Sequence, residues 1–412
     1  MVFTGPLTKC LALFLKNVDP ALQGLMLRNC AIDDNDMRAL EHVPDLHLLD
    51  LRQNSLSSLG AAHLSTYLST SSHLTTLRLA HNNTFGDVGI GALATALVTN
   101  TSVVYLDVRS TGFGVAGMEA LAMVLARDTP LEQFLIGGNQ FGDGGAKALA
   151  YGLSLNNTLW NLNLASNGLG ENGASELFRS LGGNKALTQV RFNNAGLGAN
   201  SVIPLSLALG TNATITSLHL RYCQLTDNVL AQLCPGLLRN TIVRTLDCAY
   251  NSLTDGGADE LAGVLASSTT LQKLDLSHNK IGHRGFEAIM KALGRNATLQ
   301  ELSLSNNCIN VVADRAAARA LAKNCGLHSL NLADNRNLDF DAALAHILLV
   351  NQCLTDINLS NTPGNALRVF GFNMAMVRRH ATAPNVRIDL SHKEVTQMMP
   401  PDLSSTLDVV CL

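Results

Sequence analysis

The chain has 412 residues, of which 47% are apolar and only 15% charged, with a net charge of −3; an average globular protein is roughly 25% charged. That balance gives no electrostatic footing for nucleic acid or an anionic membrane surface, and it leaves surface polarity to Asn, Ser, Thr and Gly. The nine cysteines are odd in number and form no CxxC pair, so they read as free thiols rather than as a disulfide framework or a zinc site.

At the N-terminus the apolar run before Lys16 is only Leu11–Leu15, too short for a signal peptide or a membrane span, which predicts a cytoplasmic location without membrane insertion. Residues 1–21 are expected to form a cap, with one helix around Leu7–Lys16 covering the first strand. A motif with Leu at positions one, four and six and Asn at nine then recurs. It is irregular at Leu22–Cys30, returns at Leu46–Asn54, Leu74–Asn82 and Val103–Thr111, and settles at Leu131–Asn139. From there it repeats every 28 residues: Leu159–Asn167, Leu187–Ala195, Ile215–Cys223, Val243–Asn251, Leu271–Asn279, Leu299–Asn307 and Leu327–Asn335. It weakens at Leu354–Thr362, and Arg387–Leu390 supplies a last strand-like piece. Residues 22–362 therefore read as the repeat region. Residues 363–412 read as an irregular repeat, a cap and a tail, with a helix over Asn365–His380 and the cap or tail over Met398–Leu412.

A fixed period of this length is the mark of a repeat architecture. Within one unit Lys273–Ser277 is the predicted strand, with Leu274 and Leu276 inward because alternate side chains fall on opposite faces. Asn279 turns the chain, and an Asn repeated at one position can run a ladder of hydrogen bonds to neighbouring backbone groups. Polar turns such as Gly142-Asp143 and Thr254-Asp255 suit a helix N-terminus. Over Gly144–Leu153 the apolar residues Ala146, Leu149, Ala150 and Leu153 form one helical stripe. Strands stack about every 4.8 Å and helices need roughly 8–10 Å, so the stack must bend. The predicted fold is an α/β solenoid, a horseshoe with about thirteen to fourteen parallel strands on the concave face and helices on the convex face. The triplets Asn156-Asn157-Thr158, Asn212-Ala213-Thr214 and Asn296-Ala297-Thr298 recur at one repeat position and read as repeat consensus, not as glycosylation sites.

The unit LxxLxLxxN-x-L-x-x-x-G-x-x-x-L-A-x-x-L resembles the ribonuclease-inhibitor type of leucine-rich repeat. That type is shared by ribonuclease inhibitor, the Ran GTPase-activating proteins, the repeat regions of NOD-like receptors and an axonemal subunit of the nexin–dynein regulatory complex. The resemblance implies a non-catalytic scaffold or adaptor that binds protein partners through the concave face. Its axonemal member points to a multi-subunit cytoskeletal or ciliary assembly. Two alternatives come with the same repeat: a Ran-type GTPase activator acting through an N-terminal arginine such as Arg28, Arg52 or Arg109, and an immune-receptor or effector-like repeat protein.

No catalytic, cofactor or metal site is predicted. Gly168, Gly170 and Gly173 fit GxGxxG between a strand (Leu159–Leu164) and a helix, but Gly142 and Gly145 fill the same repeat columns, so consensus accounts for the match. GxxxxGK[ST], HExxH and GxSxG are missing, and histidines and carboxylates show no metal-ligand spacing.

Concave-face positions are the third, fifth, seventh and eighth of each motif. In the N-terminal third they carry Arg28, Asp50, Arg52, Arg78, Tyr105, Asp107 and Arg109. Charges of both signs there fit either a self-neutralising ladder or a partner site. In the middle Arg191, His219, Arg221, Tyr222, Asp247 and Tyr250 come from three consecutive strands, and Arg with Tyr is the composition of an interface hot spot. Later strands carry Lys273, Asp275, His278, Glu301, Asp334 and Asp356, which read as a solvated polar face. Trp160 is expected to pack at the strand edge.

Overall fold

Leu-x-Leu alternation makes a strand whose central residue is buried, and the following residue at position eight ends it by entering the left-handed region. The computed structural model describes residues 21–43, 45–127, 129–310, 315–335, 347, 350–362 and 387–389. The expected cap helix at Leu7–Lys16, the helix at Asn365–His380 and the tail at Met398–Leu412 lie outside the described residues.

Two compact units are present, Met1–Ile215 and Thr216–Leu412. In the first, seven short strands pair in parallel in chain order: β1 (Gly24–Met26), β2 (Leu48–Asp50), β3 (Thr76–Arg78), β4 (Tyr105–Asp107), β5 (Gln133–Leu135), β6 (Asn161–Asn163) and β7 (Gln189–Arg191). A 3-10 helix, Asp36–His42, follows β1. After it come α1 (Ser58–Thr70), α2 (Gly86–Thr99), α3 (Val115–Leu125), α4 (Gly142–Leu155), α5 (Glu171–Gly183) and α6 (Ala199–Thr211), one behind each strand. The second unit repeats the scheme with β8 (Ser217–His219), β9 (Thr245–Asp247), β10 (Lys273–Asp275), β11 (Glu301–Ser303), β12 (Ser329–Asn331), β13 (Asp356–Asn358) and β14 (Arg387–Asp389). Among the described residues its helices include α7 (Asp227–Arg239), α8 (Asp255–Ser267), α9 (His283–Leu293) and α10 (Arg315–Lys323).

The core is a column of leucines between the strand layer and the helix layer. Leu49, Leu77, Leu106, Phe134 and Leu162 are fully buried at the centres of successive strands, as are Leu218, Leu330 and Ile357 in the second unit. The strands are shorter than expected: β10 stops at Asp275, not Ser277. The cause is His278, whose φ of 53° turns the backbone out of the sheet although Leu276 and His278 still donate to the next repeat. Helix α4 extends past the expected Gly144–Leu153 at both ends.

Three rails of polar side chains bind repeat to repeat. On the first, motif asparagines such as Asn82 donate to two backbone carbonyls, Leu51 O and Leu79 O, and accept from Leu56 N–H. On the second, an asparagine at or just after the end of most helices donates back one repeat: Asn212 Nδ2 to Leu181 O and Asn184 O, Asn296 Nδ2 to Leu265 O and Ser268 O. Asn156, Asn212 and Asn296 of the Asn-x-Thr triplets all belong to this rail and are 3–5% exposed, which is the repeat role assigned to them. The third rail was not foreseen. The first-turn acid of one helix caps the next: Asp87 accepts from Gly114 and Gly117 N–H, and Asp255 from Gly282 and Gly285 N–H, at 2.7–2.9 Å. The same arrangement explains the GxGxxG match, since Gly170 N–H donates to Asp143, and a Cβ on Gly173 would lie 2.7 Å from Asp143 Cα.

Candidate functional site

In the first unit the charged strand-face residues are paired with one another. Asp50 (2% exposed) and Asp107 (0%) sit at motif position five, where each accepts the N–H two residues on, from Arg52 and Arg109. The guanidinium of Arg52 clamps Asp50 through Nε (2.9 and 3.0 Å) and Nη2 (2.5 Å), and Arg109 clamps Asp107 through Nε and Nη2, both at 2.8 Å. Arg78 approaches Asp50 at 3.7 Å and lies over the Tyr105 ring at 5.4 Å. Burial raises the Asp50 carboxyl, but the hydrogen bonds and charge of Arg52, with the charge of Arg78, outweigh it and hold the group below its ordinary 3.8. The same pairing raises Arg52 and Arg109, while burial, with Asp107 nearby, raises Tyr105. Arg28 is exposed and donates from Nε to Gln53. Trp160 donates its indole N–H to Glu132 at the strand edge.

Arg191 also belongs to the first unit, where it donates to Asn161 Oδ1 at 3.1 Å. The five other residues of the expected central group are in the second unit, on β8, β9 and the turns after them. Asp247 is the most buried of them. It is 7% exposed because its Oδ1 accepts Ala249 N–H while His219 Nδ1 (3.3 Å) and Arg221 Nε (3.7 Å) lie over Oδ2. Ser217 Oγ is 2.9 Å from His219 Nε2 on its other side. Asp247 is thus a hub that orients His219 and Arg221.

Beside the hub runs a stack of rings. Tyr222 and Tyr250 are parallel at 4.3 Å between centroids, Tyr250 and His278 at 3.8 Å, and the Arg221 guanidinium stands 5.1 Å from the Tyr250 ring centre. Tyr222 is 53% exposed. Tyr250, expected to be exposed, is only half so because a ring covers each of its faces. His278, read as part of a solvated polar run, is the third member of the stack. All three residues occupy motif position eight with φ between 53° and 57°. In the other repeats of the second unit that column holds Asn306, Asp334 and Asn361, the residue types that tolerate left-handed backbone at least cost. A bulky tyrosine there is strained by on the order of 1 kcal/mol or more.

Four described thiols, Cys30, Cys223, Cys234 and Cys248, are buried and outside any disulfide. Burial, reinforced by Glu260, pushes Cys234 up to about 12, and burial also raises Cys248 well above the ordinary thiol value. Among the described residues no cluster of His, Cys, Asp and Glu could hold a metal, and no helix is long and apolar enough to cross a membrane.

The Leucine Rich repeat family model matches residues 70–94, 99–122, 129–150, 211–229, 267–290 and 295–312. Among solved structures, the chain is similar to one from the Rad7 and Elc1 complex in yeast, at 14% identity and a TM-score of 0.52 over 93% of this chain and 84% of that one. It is also similar to an internalin (inlF) from Listeria monocytogenes str. 4b F2365, at 16% identity and a TM-score of 0.53 over 88% and 90%. These likenesses concern the fold alone. No curated protein matches the sequence.

Proposed function

Leucine-rich repeats build this chain, and on that premise we propose that it is a non-catalytic protein-binding scaffold whose recognition site is the ring stack Tyr222–Tyr250–His278 with Arg221 beside it. The observation that carries this reading is the strain. Position eight carries left-handed backbone and holds mostly Asn, Ser, Asp or Gly, with Gln53, His81 and His278 the other large side chains, so two stacked tyrosines are a costly choice that serves something other than the fold. Together they offer flat area, phenolic hydroxyls and a guanidinium, the chemistry of an interface anchor. Within the family, the 28-residue period favours the ribonuclease-inhibitor type. The setting we propose from that resemblance is a subunit of a larger cytoskeletal or axonemal assembly in the cytoplasm.

The order Ser217, His219, Asp247 is that of a hydrolase triad, but Ser217 lies within a strand. Strand N–H groups point along the sheet plane, at right angles to the side chains, so the oxyanion of a carbonyl attacked by Ser217 Oγ would meet no backbone donor pair. The relay fixes a binding surface. A GTPase activator working through an arginine would have to use Arg28, since Arg52 and Arg109 are clamped by buried carboxylates.

The test is affinity capture from the source cell with the wild-type chain and with Tyr222→Ala, quantified by mass spectrometry. We expect a stoichiometric partner set that Tyr222→Ala loses while melting at the wild-type temperature or above. Equal recovery on both would end the assignment of this site, and stimulation of GTP hydrolysis by Ran at micromolar chain would replace the scaffold reading with the activator one.

A further inference from the structure

The second unit carries a charge asymmetry that neither its packing nor the ring stack uses. Residues 283–295 and 315–323 hold six Lys or Arg side chains and a single carboxylate, Glu287, in a chain whose net charge is −3. Arg284, Lys291, Arg295, Arg319 and Lys323 are all exposed, and none forms an ion pair among the described residues. Three of them, Arg284, Lys291 and Arg295, line a groove of about 470 Å³ on the helix face between α8 and α9. Its floor is small and apolar, including Ala262, Gly263 and Ala288, and a Cβ added at Gly263 would meet nothing within 4 Å.

At 1.5 Å of rise per residue, Arg284 and Lys291 of α9 stand about 10 Å apart along the groove, and Arg295 follows in the turn after the helix. Carboxylates at positions i and i+7 of a partner helix have the same spacing as Arg284 and Lys291, and small floor residues let two helices approach closely. We propose that this groove docks an acidic amphipathic helix of a protein partner, its carboxylates on Arg284, Lys291 and Arg295 and its aliphatic side chains over Gly263. The remaining lining decides between polyanions. Asp259 and Glu287 also face the groove. They would repel the unbroken charge of a nucleic-acid backbone or a phospholipid surface, whereas a peptide can set a lysine opposite each. A phosphate backbone also has no use for an alanine and glycine floor.

The experiment is selection from a displayed library of helical peptides, about five turns long, on the full chain. Two variants serve as counter-targets: the charge-reversed Arg284→Glu/Lys291→Glu/Arg295→Glu, and Gly263→Leu, which fills the floor without altering a charge and keeps the test valid if the triple variant is unstable. The expected result is enrichment of Glu or Asp at i and i+7, binding that weakens as salt rises, and a loss of about tenfold or more on either variant. Failure to select any peptide, selection without acidic excess, or equal retention by both variants would overturn the proposal. So would tighter binding, through the same three cations, of a single-stranded oligonucleotide or of vesicles containing phosphatidylserine.

Discussion

The asparagine rail makes a quantitative prediction at Asn139, which is 2% exposed. Its amide nitrogen donates to Val108 O (3.0 Å) and Ile136 O (2.8 Å), and its Oδ1 accepts Thr111 N–H and Gly112 N–H, both at 3.0 Å. Asn139→Ala removes all four bonds. Gly112 is exposed and can turn to water, but Thr111 is completely buried and its N–H would be stranded. One stranded N–H at about 1–3 kcal/mol, with two weakened buried carbonyls, sums to a loss of roughly 2–4 kcal/mol, a large part of a typical total of about 5–15. Urea unfolding followed by Trp160 fluorescence reads it directly, because this single tryptophan sits in the adjacent repeat. Asn139→Thr should fall between, since Thr111 occupies the same column and its hydroxyl keeps one short bond, to Val108 O at 2.9 Å. A loss below about 0.5 kcal/mol, the size of an ordinary surface change, would show that the rail is decorative and the reasoning wrong.

Acid and thiol chemistry supply two further tests. Because Asp50 titrates below its ordinary 3.8 in the folded chain, its pairing stabilises the fold at all pH above that value and is lost as pH falls through the depressed one. Asp50→Asn should therefore cost about 2 kcal/mol at neutral pH and show a shallower acid loss than wild type in melts from pH 7 downward; parallel curves would refute the assignment. With Cys10 and Cys411 replaced by Ser, a chromogenic disulfide reagent at neutral pH should modify the exposed Cys308 and Cys325 at once, and Cys30, Cys223, Cys234 and Cys248 only after denaturation. Prompt native reaction at Cys234, whose thiol titrates near 12, would contradict its placement.

How much of this was readable in advance follows from the range of each interaction. The leucine column and the asparagine rail repeat every 28 residues, so period alone revealed them. The acid rail did not show itself because the bond runs from Asp87 to Gly114, 27 residues on, and each acid stands in the first turn of a helix it does not principally cap. Alternation told which face Asp247 points to but not its depth, which depends on His219 and Arg221 closing over it. Tyr222 and Tyr250 were visible as large residues in one column. His278 was missed because, as a lone histidine among polar neighbours, nothing in its own repeat marks it as the end of a stack that begins 56 residues earlier.

The position-five column separates what the fold requires from what it merely permits. Asn163, Asn331 and Asn358 each accept the N–H two residues on through Oδ1, so where this column supplies the turn with an acceptor an amide oxygen serves without a charge. Where the column holds Asp50, Asp107 or Asp247, a cation answers the charge. Asp275 is different: its Oδ1 accepts Ser277 N–H at 2.9 Å, it is half-exposed, and no cation among the described residues pairs with it. Its neighbour Lys273 is held instead by Glu301 at 2.6 Å. Asp275→Asn should accordingly leave stability within about 0.5 kcal/mol, because the amide oxygen keeps the turn bond. Asp50→Asn, under identical conditions, should not be so mild. A melt of Asp275→Asn that falls as far as that of Asp50→Asn would mean the charge itself holds the turn, and the division of this column into structural oxygen and disposable charge would fail. If the melt is unchanged, Asp275 is a carboxylate the fold does not need, one side chain from the ring stack on the same repeat as His278, and a loss of partner capture in that variant would then report recognition alone.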